Sequence, residues 1–313
     1  MLPESRTSSS GHDARFVGLV HRMEPRAVLR RAWTLEGGIS AQVTALEVRE
    51  PNGDVRRLIV RQHGAGDLKR NPQVAADEFR VLAALRLAGI PVPAPVFLDD
   101  SREFFATPVL VVEYMDGETD FTGLNLAGIV SQSAAVLAKL HNLSIDMLDL
   151  PRLPQIECEV TELLSSPHGL HRSIPEIAPL FEALASSPPP SSCGTPRLLH
   201  GDFWPGNLLW NAGRLVAVID WEDAALGDPL AELANARLET LWAYGHDPMR
   251  DFTRLYLHAA SINPSALPFW DLVVATCASV RLAAWGLDAA TESRFRGLLE
   301  VFARKAVDRL STG

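Results

Sequence analysis

His200-Gly201-Asp202-Phe203-Trp204-Pro205-Gly206-Asn207 runs into Leu208-Leu209-Trp210, a turn at Asn211-Ala212-Gly213, a second apolar run over 215–219, and then Asp220-Trp221-Glu222. The two apolar runs read as short strands, and the Gly-containing turn between them as a hairpin loop. A hairpin folds the chain back on itself, so its two ends lie side by side. Asp202 stands five residues before Asn207, and Asn207 thirteen before Asp220, so all three side chains can converge at the open end. One carboxylate and one amide oxygen suit Mg²⁺, a hard cation that takes oxygen ligands and fills the rest of its shell with phosphates and water. The other Asp can accept a hydrogen bond from a hydroxyl and align it with a phosphoryl group.

Outward from this stretch the chain changes character twice. Residues 1–13 are Ser-rich and polar and read as a disordered leader. Residues 39–48 have β-branched alternation, and the turn Pro51-Asn52-Gly53-Asp54 joins them to 55–61, which predicts a β-hairpin. Asn71-Pro72 opens a helix with Phe79, Leu82 and Leu85 on one face, and Gly89 stops it. Pro91-Val92-Pro93-Ala94-Pro95 then leads to a strand pair ending at Val109-Leu110-Val111-Val112. Beyond the polar link 113–120, helices are predicted over 126–141, 159–164, 229–244, 268–287 and 291–310, with Ser186-Ser187-Pro188-Pro189-Pro190-Ser191-Ser192 as a linker. The layout is α+β: a β-rich lobe over 14–112, a hinge at 113–120 and a mainly helical lobe over 121–313.

The 313 residues carry 29 Lys+Arg against 38 Asp+Glu, a net charge of −9. An acidic chain with pI near 5.5 argues against a nucleic-acid partner, which demands a basic face, and against an anionic membrane surface. Cut at residue 112, the charge is +2 before and −11 after, which fits parts that meet different ligands or opposite ends of one ligand; on charge alone, a solvated acidic surface is the simpler reading. Cys158, Cys193 and Cys277 lie far apart without CxxC spacing, which supports neither a disulfide framework nor a zinc site. No apolar signal region follows a basic start, and no uninterrupted apolar stretch approaches the ~20 residues of a membrane span. A cytoplasmic location is the expectation.

His200-Gly201-Asp202-(x)4-Asn207 followed by Ile219-Asp220-Trp221-Glu222 resembles the catalytic segment of aminoglycoside phosphotransferases and their choline-kinase-like relatives, which share the protein-kinase fold. The resemblance implies a small β-rich N-lobe, a larger helical C-lobe, and transfer of the γ-phosphate of ATP or GTP to a hydroxyl of a small molecule. It implies Asp202 as the catalytic carboxylate, Asn207 and Asp220 as Mg²⁺ ligands, and His200 as a support of the loop; read physically, His200 is equally a packed histidine after Leu198-Leu199. Asp228, in Gly227-Asp228-Pro229, reads as an N-cap with proline at N1; the resemblance adds bracing of the active-site loops.

Leu35-Glu36-Gly37-Gly38-Ile39-Ser40 resembles the family's abbreviated nucleotide loop: Gly37 and Gly38 admit phosphate to backbone N–H groups, and Ser40 adds a hydroxyl. The GxGxxG of protein kinases is absent. Protein kinases also place a lysine on the third strand, but the only lysine before the hinge is Lys69, in a loop. Arg61 takes that place, with Glu78 as its ion-pair partner; the bland reading is two surface charges. Val112-Glu113-Tyr114-Met115 matches the adenine-binding hinge, where Glu113 and Met115 contribute backbone groups that do not separate ATP from GTP. His141, closing an apolar helical stripe, reads as core or cap. For the acceptor, Glu222, Asp223, Glu239 and Asp247 are acidic candidates and Trp221, Trp242 and Tyr244 aromatic ones, each also explained by solvation or core packing. A cationic or polyhydroxyl acceptor suits the acidic lobe, whether an antibiotic, choline, another amino alcohol or a sugar. A catalytically silent, nucleotide-binding pseudokinase is the alternative.

Overall fold

A computed structural model describes residues 13–35, 41–120, 123, 125–156, 178–187 and 195–312. The chain folds as two compact units, one of Met1–Arg86 with Val92–Met115 and the other of Leu87–Pro91 with Asp116–Gly313. The predicted helix over 159–164, the Gly37-Gly38-Ser40 loop, the leader up to residue 12 and most of the Pro-rich linker lie outside the described residues.

The smaller unit is built on a five-stranded antiparallel sheet in the order β1-β2-β3-β5-β4, formed by β1 (Val28–Thr34), β2 (Ala41–Arg49), β3 (Val55–His63), β4 (Pro95–Asp99) and β5 (Val109–Glu113). The β2–β3 hairpin turns where the sequence indicates, with Gly53 at φ 92. Strand alternation sorts β3: Leu58 and Val60 enter an apolar core with Leu46, Val109 and Val111, while Arg61 and His63 are buried polar residues outside that cluster. Helix α1 (Ala14–Met23), which the sequence analysis leaves unassigned, contributes Phe16, Leu19 and Val20 to the same core and is capped by Asp13 accepting from the Arg15 N–H at 3.1 Å. After α2 (Ala65–Arg70), helix α3 (Val74–Leu87) starts two residues later than Asn71-Pro72 suggests. Its buried face is Val74, Ala75, Glu78, Val81, Leu82 and Leu85, with Phe79 only partly covered.

The larger unit is mainly helical: α4 (Leu126–His141), α5 (Ala178–Ser186), α6 (Pro229–Tyr244), α7 (His246–Ala260), α8 (Leu267–Arg281) and α9 (Ala289–Thr312). Two small antiparallel pairs interrupt it, β6 (Arg197–Leu199) with β9 (Ala225–Gly227), and β7 (Leu208–Asn211) with β8 (Arg214–Val218). Ala212 and Gly213, at φ 48 and 76, make the tight turn of the second pair. The predicted helix over 268–287 stops at Arg281 and tightens into a 3-10 turn, Leu282–Trp285. Pro264–Trp285 is long and apolar enough to cross a membrane by length and composition, but 61% of its window is buried within the protein, where Leu282 packs with Leu241, Trp242 and Phe302. Among the exchanged charges of this core, Arg237 donates to both oxygens of Asp271 at 2.8 and 2.6 Å.

Candidate active site

The site in the larger unit is made by a loop and a strand end. β6 pairs Leu199 with Ala225, so the chain leaves β6 into His200-Gly201-Asp202 beside the turn that precedes β9. Gly201 sits at φ 89, and a Cβ there would stand 1.9 Å from the Asp223 carbonyl oxygen, so only glycine fits. Asn207 is buried and points back: its Nδ2 donates to the Asp202 carbonyl at 2.9 Å and to Asp202 Oδ2 at 3.1 Å. The Asn207 carbonyl accepts the Ile219 N–H at 3.0 Å, which ties the loop to the end of β8 one residue before Asp220. His200 makes the second tie. Its Nε2–H donates to Ile219 O at 2.8 Å, its Nδ1 accepts the Asp202 N–H at 3.2 Å, and its ring lies 4.4 Å from that of Trp221. Asp220 holds φ 64, a left-handed conformation that costs a non-glycine residue and is sustained by its surroundings.

Asp202, Asn207 and Asp220 are therefore gathered at the open end of the hairpin, with His200 as the strut between their two segments. Asp202 is exposed. Protein mass around it still desolvates the carboxylate and raises its pKa; His200 and the Asn207 hydrogen bond oppose the rise, while Asp223 and Asp220 add to it. With Nδ2 spent on Asp202, the Asn207 amide offers its oxygen as a metal ligand. Among the described residues no group of three or more His, Cys, Asp and Glu could hold a metal. One amide oxygen and one carboxylate fit a cation that draws most of its shell from phosphates and water, as Mg²⁺ does.

Asp228 does more than cap. Its Oδ1 accepts the Leu230 N–H at 2.9 Å at the start of α6, and its Oδ2 accepts Trp270 Nε1–H at 2.7 Å, so capping is not its sole role. Trp221 and Trp242 are core, each 1% exposed, and fall away as acceptor contacts; Asp247 is an exposed partner of Arg250. Two residues the sequence analysis passed over stand nearer the chemistry. Trp204, two residues past Asp202, is 41% exposed with its ring over Gly206. Glu232, on α6, accepts the N–H of His200 at 2.9 Å and that of Gly201 at 2.6 Å. An acid in a helix's first turn has an ordinary explanation in the helix dipole, which hides such a role.

Glu239, on the same helix, is largely buried; burial first, and then the nearby Asp202 charge, push its pKa up to about 8. A folded-state pKa above the unfolded value means that stability is complete below pH 4.5 and is lost as pH rises through 8. Solvent still reaching the side chain reduces the effect to roughly 1–3 kcal/mol. Glu239→Gln should lack this slope, so its melting temperature gains on the wild type's between pH 5 and 9. An equal offset at both pH values would refute the assignment.

In the smaller unit Arg61 and Glu78 do pair, and not at the surface. Arg61 Nε lies 3.4 Å from Glu78 Oε1, with the side chains 7% and 2% exposed. His63, two residues along β3 and so on the same face, places Nε2 at 2.8 Å from Glu78 Oε2. Glu78 is thus held from two sides, and the spacing of Arg61 and His63 was the signal for it. His63→Phe removes one holder and should weaken nucleotide binding about tenfold, less than Arg61→Met, as binding calorimetry would measure. Glu113 and Met115 are partly buried, and Glu113 Oε2 stands 3.5 Å from Arg86. The N–H groups of Glu113 and Tyr114 are already donated, to Ala94 O and Arg57 O.

A small antiparallel-sheet unit followed by a larger, mainly helical unit with an Asp–Asn loop and a second Asp across a hairpin defines the protein-kinase-like class. The chain belongs to the phosphotransferase enzyme family, whose model matches residues 34–270. It is 26% identical over 250 residues to acyl-CoA dehydrogenase family member 11 of Pongo abelii, covering 69% of this chain and 31% of that protein. The chain thus spans about a third of the length of this curated relative. Among solved structures, the GDP complex of aminoglycoside 2'-phosphotransferase-IIIa superimposes with a TM-score of 0.67 at 17% identity, covering 94% of this chain and 99% of that one. A thermostable mutant of aminoglycoside phosphotransferase APH(4)-Ia, in a ternary complex with AMP-PNP and hygromycin B, does so with 0.62 at 16%, covering 92% and 97%.

Proposed function

We propose that the protein transfers the γ-phosphate of ATP or GTP to a hydroxyl of a small molecule. The observation that carries this reading is the Asn207 amide hydrogen-bonded to Asp202 Oδ2 at 3.1 Å, which fixes one carboxylate oxygen and leaves the other for a substrate. Asp202 Oδ1 accepts the acceptor hydroxyl and takes its proton as the new O–P bond forms. The bond from the γ-phosphorus to the bridging oxygen breaks, and the nucleoside diphosphate leaves with the electron pair. Asn207 Oδ1 and Asp220 would hold Mg²⁺, which when bound neutralises phosphate charge. Arg61, kept in place by Glu78, meets the phosphates; Gly37, Gly38 and Ser40 supply the nucleotide loop. The hinge contact to the base falls to backbone groups of Glu113 and Met115; with the Glu113 N–H donated to Ala94 O, Glu113 contributes its carbonyl. Trp204 offers an exposed ring face beside Asp202 to the acceptor.

The names of the similar solved structures supply one acceptor class, an aminoglycoside; an amino alcohol such as choline, or a sugar, is the alternative. The acidic larger unit favours the first, or another cationic alcohol such as choline, over a nucleic acid or a membrane surface, and a cytoplasmic site of action goes with it. Phosphate transfer from MgATP and MgGTP should be assayed against aminoglycosides, amino alcohols and sugars. Transfer to one class establishes the activity; nucleotide binding without transfer to any of them, or to water, would favour the silent pseudokinase instead.

A further inference from the structure

We propose that Tyr256, His141 and Glu232 form a buried positioning relay that fixes the backbone of the Asp202 loop and so sets the rate of transfer without touching substrate. This rests on the reading of Asp202 as the group that meets the acceptor hydroxyl. β6 ends at Leu199, so no strand ladder holds His200, Gly201 and Asp202. Side-chain acceptors hold them instead: Glu232 Oε2 takes the His200 N–H, Glu232 Oε1 takes the Gly201 N–H, and His200 Nδ1 takes the Asp202 N–H.

Glu232 is in turn held from behind. His141 Nε2 lies 2.8 Å from Glu232 Oε2, and its Nδ1 lies 2.5 Å from the Tyr256 hydroxyl. A carboxylate only accepts, so His141 Nε2 must carry a hydrogen; with a neutral ring, Nδ1 is then the acceptor of Tyr256 O–H. The opposite tautomer would set a lone pair against the carboxylate. The Tyr256 hydroxyl therefore selects the tautomer that holds Glu232. Burial, with Glu232 and Asp228 nearby, raises the Tyr256 pKa, so the phenol keeps its proton. Burial alone would also raise the pKa of Glu232, but the hydrogen bonds it accepts from the His141 side chain and the His200 N–H oppose this, and it lies below the usual range.

The relay joins three helices to one loop: Tyr256 on α7, His141 at the end of α4 and Glu232 on α6. All three are buried, His141 and Tyr256 fully. Purely apolar packing would need none of these polar atoms, and each would be costly if left unpaired.

Tyr256→Phe deletes one oxygen atom and tests the relay in the full-length chain. Amide hydrogen exchange at His200 and Gly201, ¹⁵N NMR of the His141 ring, melting temperature and MgATP turnover with water as acceptor should be measured together. Exchange at the two amides should rise about tenfold, the His141 signals should move toward a tautomer mixture, and kcat should fall about tenfold with the KM for MgATP within twofold. His141→Gln, which keeps an N–H donor, should retain more turnover than His141→Ala. Unchanged exchange in a folded Tyr256→Phe chain would overturn the relay, as would faster exchange with unaltered kcat. Should Asp202→Asn also leave turnover unchanged, the underlying reading of the site fails; should Asp202→Asn abolish turnover while Tyr256→Phe and His141→Ala do not alter it, the relay alone fails.

Discussion

Asp202→Asn should cut phosphoryl transfer by about 10²–10⁴-fold while leaving nucleotide affinity nearly unchanged. The substitution keeps the size of the side chain and an oxygen able to accept from Asn207 Nδ2, so the loop geometry persists. What disappears is the group that can take the acceptor proton. The variant should also melt higher than the wild type at pH 8. Asp202 is held in a setting that disfavours its charge, with the Asp223 and Asp220 carboxylates near and Glu239 affected by it. Removing the charge relieves that repulsion, the usual trade of stability for activity at a reacting group. Kinetics and a thermal melt on the same preparation check both halves. Unaltered turnover would remove Asp202 from the chemistry, and a lower melting temperature would show that its charge is compensated by something other than the surrounding residues.

Gly201→Ala should be among the most damaging single changes in the chain. A left-handed φ costs an alanine about 1–2 kcal/mol, and forcing a methyl into filled space costs roughly 1–3 more. The obstacle is backbone, the Asp223 carbonyl at 1.9 Å and its carbon at 2.6 Å, so rotamer changes cannot relieve it. The loop must shift, and with it the Gly201 N–H donated to Glu232 and the aim of Asp202. A melting temperature lowered by about 5–15 °C and loss of transfer are expected. Gly53→Ala is the control, with a similar φ of 92 and nothing within 4 Å. It should show only the smaller conformational cost. Equal losses in the two variants would mean that the close approach to Asp223 contributes nothing.

Much of the site was legible because local rules write it. The bounds 126–141 and 229–244 are those of α4 and α6, set by apolar periodicity and, for α6, by Asp228-Pro229 at its start. The hairpin between Asn207 and Asp220 followed from two apolar runs around a Gly-containing turn. Long-range partners were not legible. Glu232 reaches His200 and His141 across 32 and 91 residues, and nothing near it in the chain distinguishes it from a dipole-stabilising acid. Arg61 and Glu78 could also have been surface charges; their burial depends on α3 packing its Glu78 face inward. α1 carried its signal openly, with Phe16, Leu19 and Val20 at helical spacing behind an Asp13 cap, but one short amphipathic segment ahead of a strand is weak without the core it fills. Trp204 escaped notice because the close approach of its ring to Gly206 follows from no sequence pattern.

The most direct test of a metal-assisted phosphotransferase is calorimetric titration of ATP and GTP into the full-length protein, with and without Mg²⁺, alongside Asp220→Asn. Saturable binding of at least one nucleotide that tightens with Mg²⁺, with the gain lost in Asp220→Asn, is the predicted result. No binding of either nucleotide under any metal condition would contradict it.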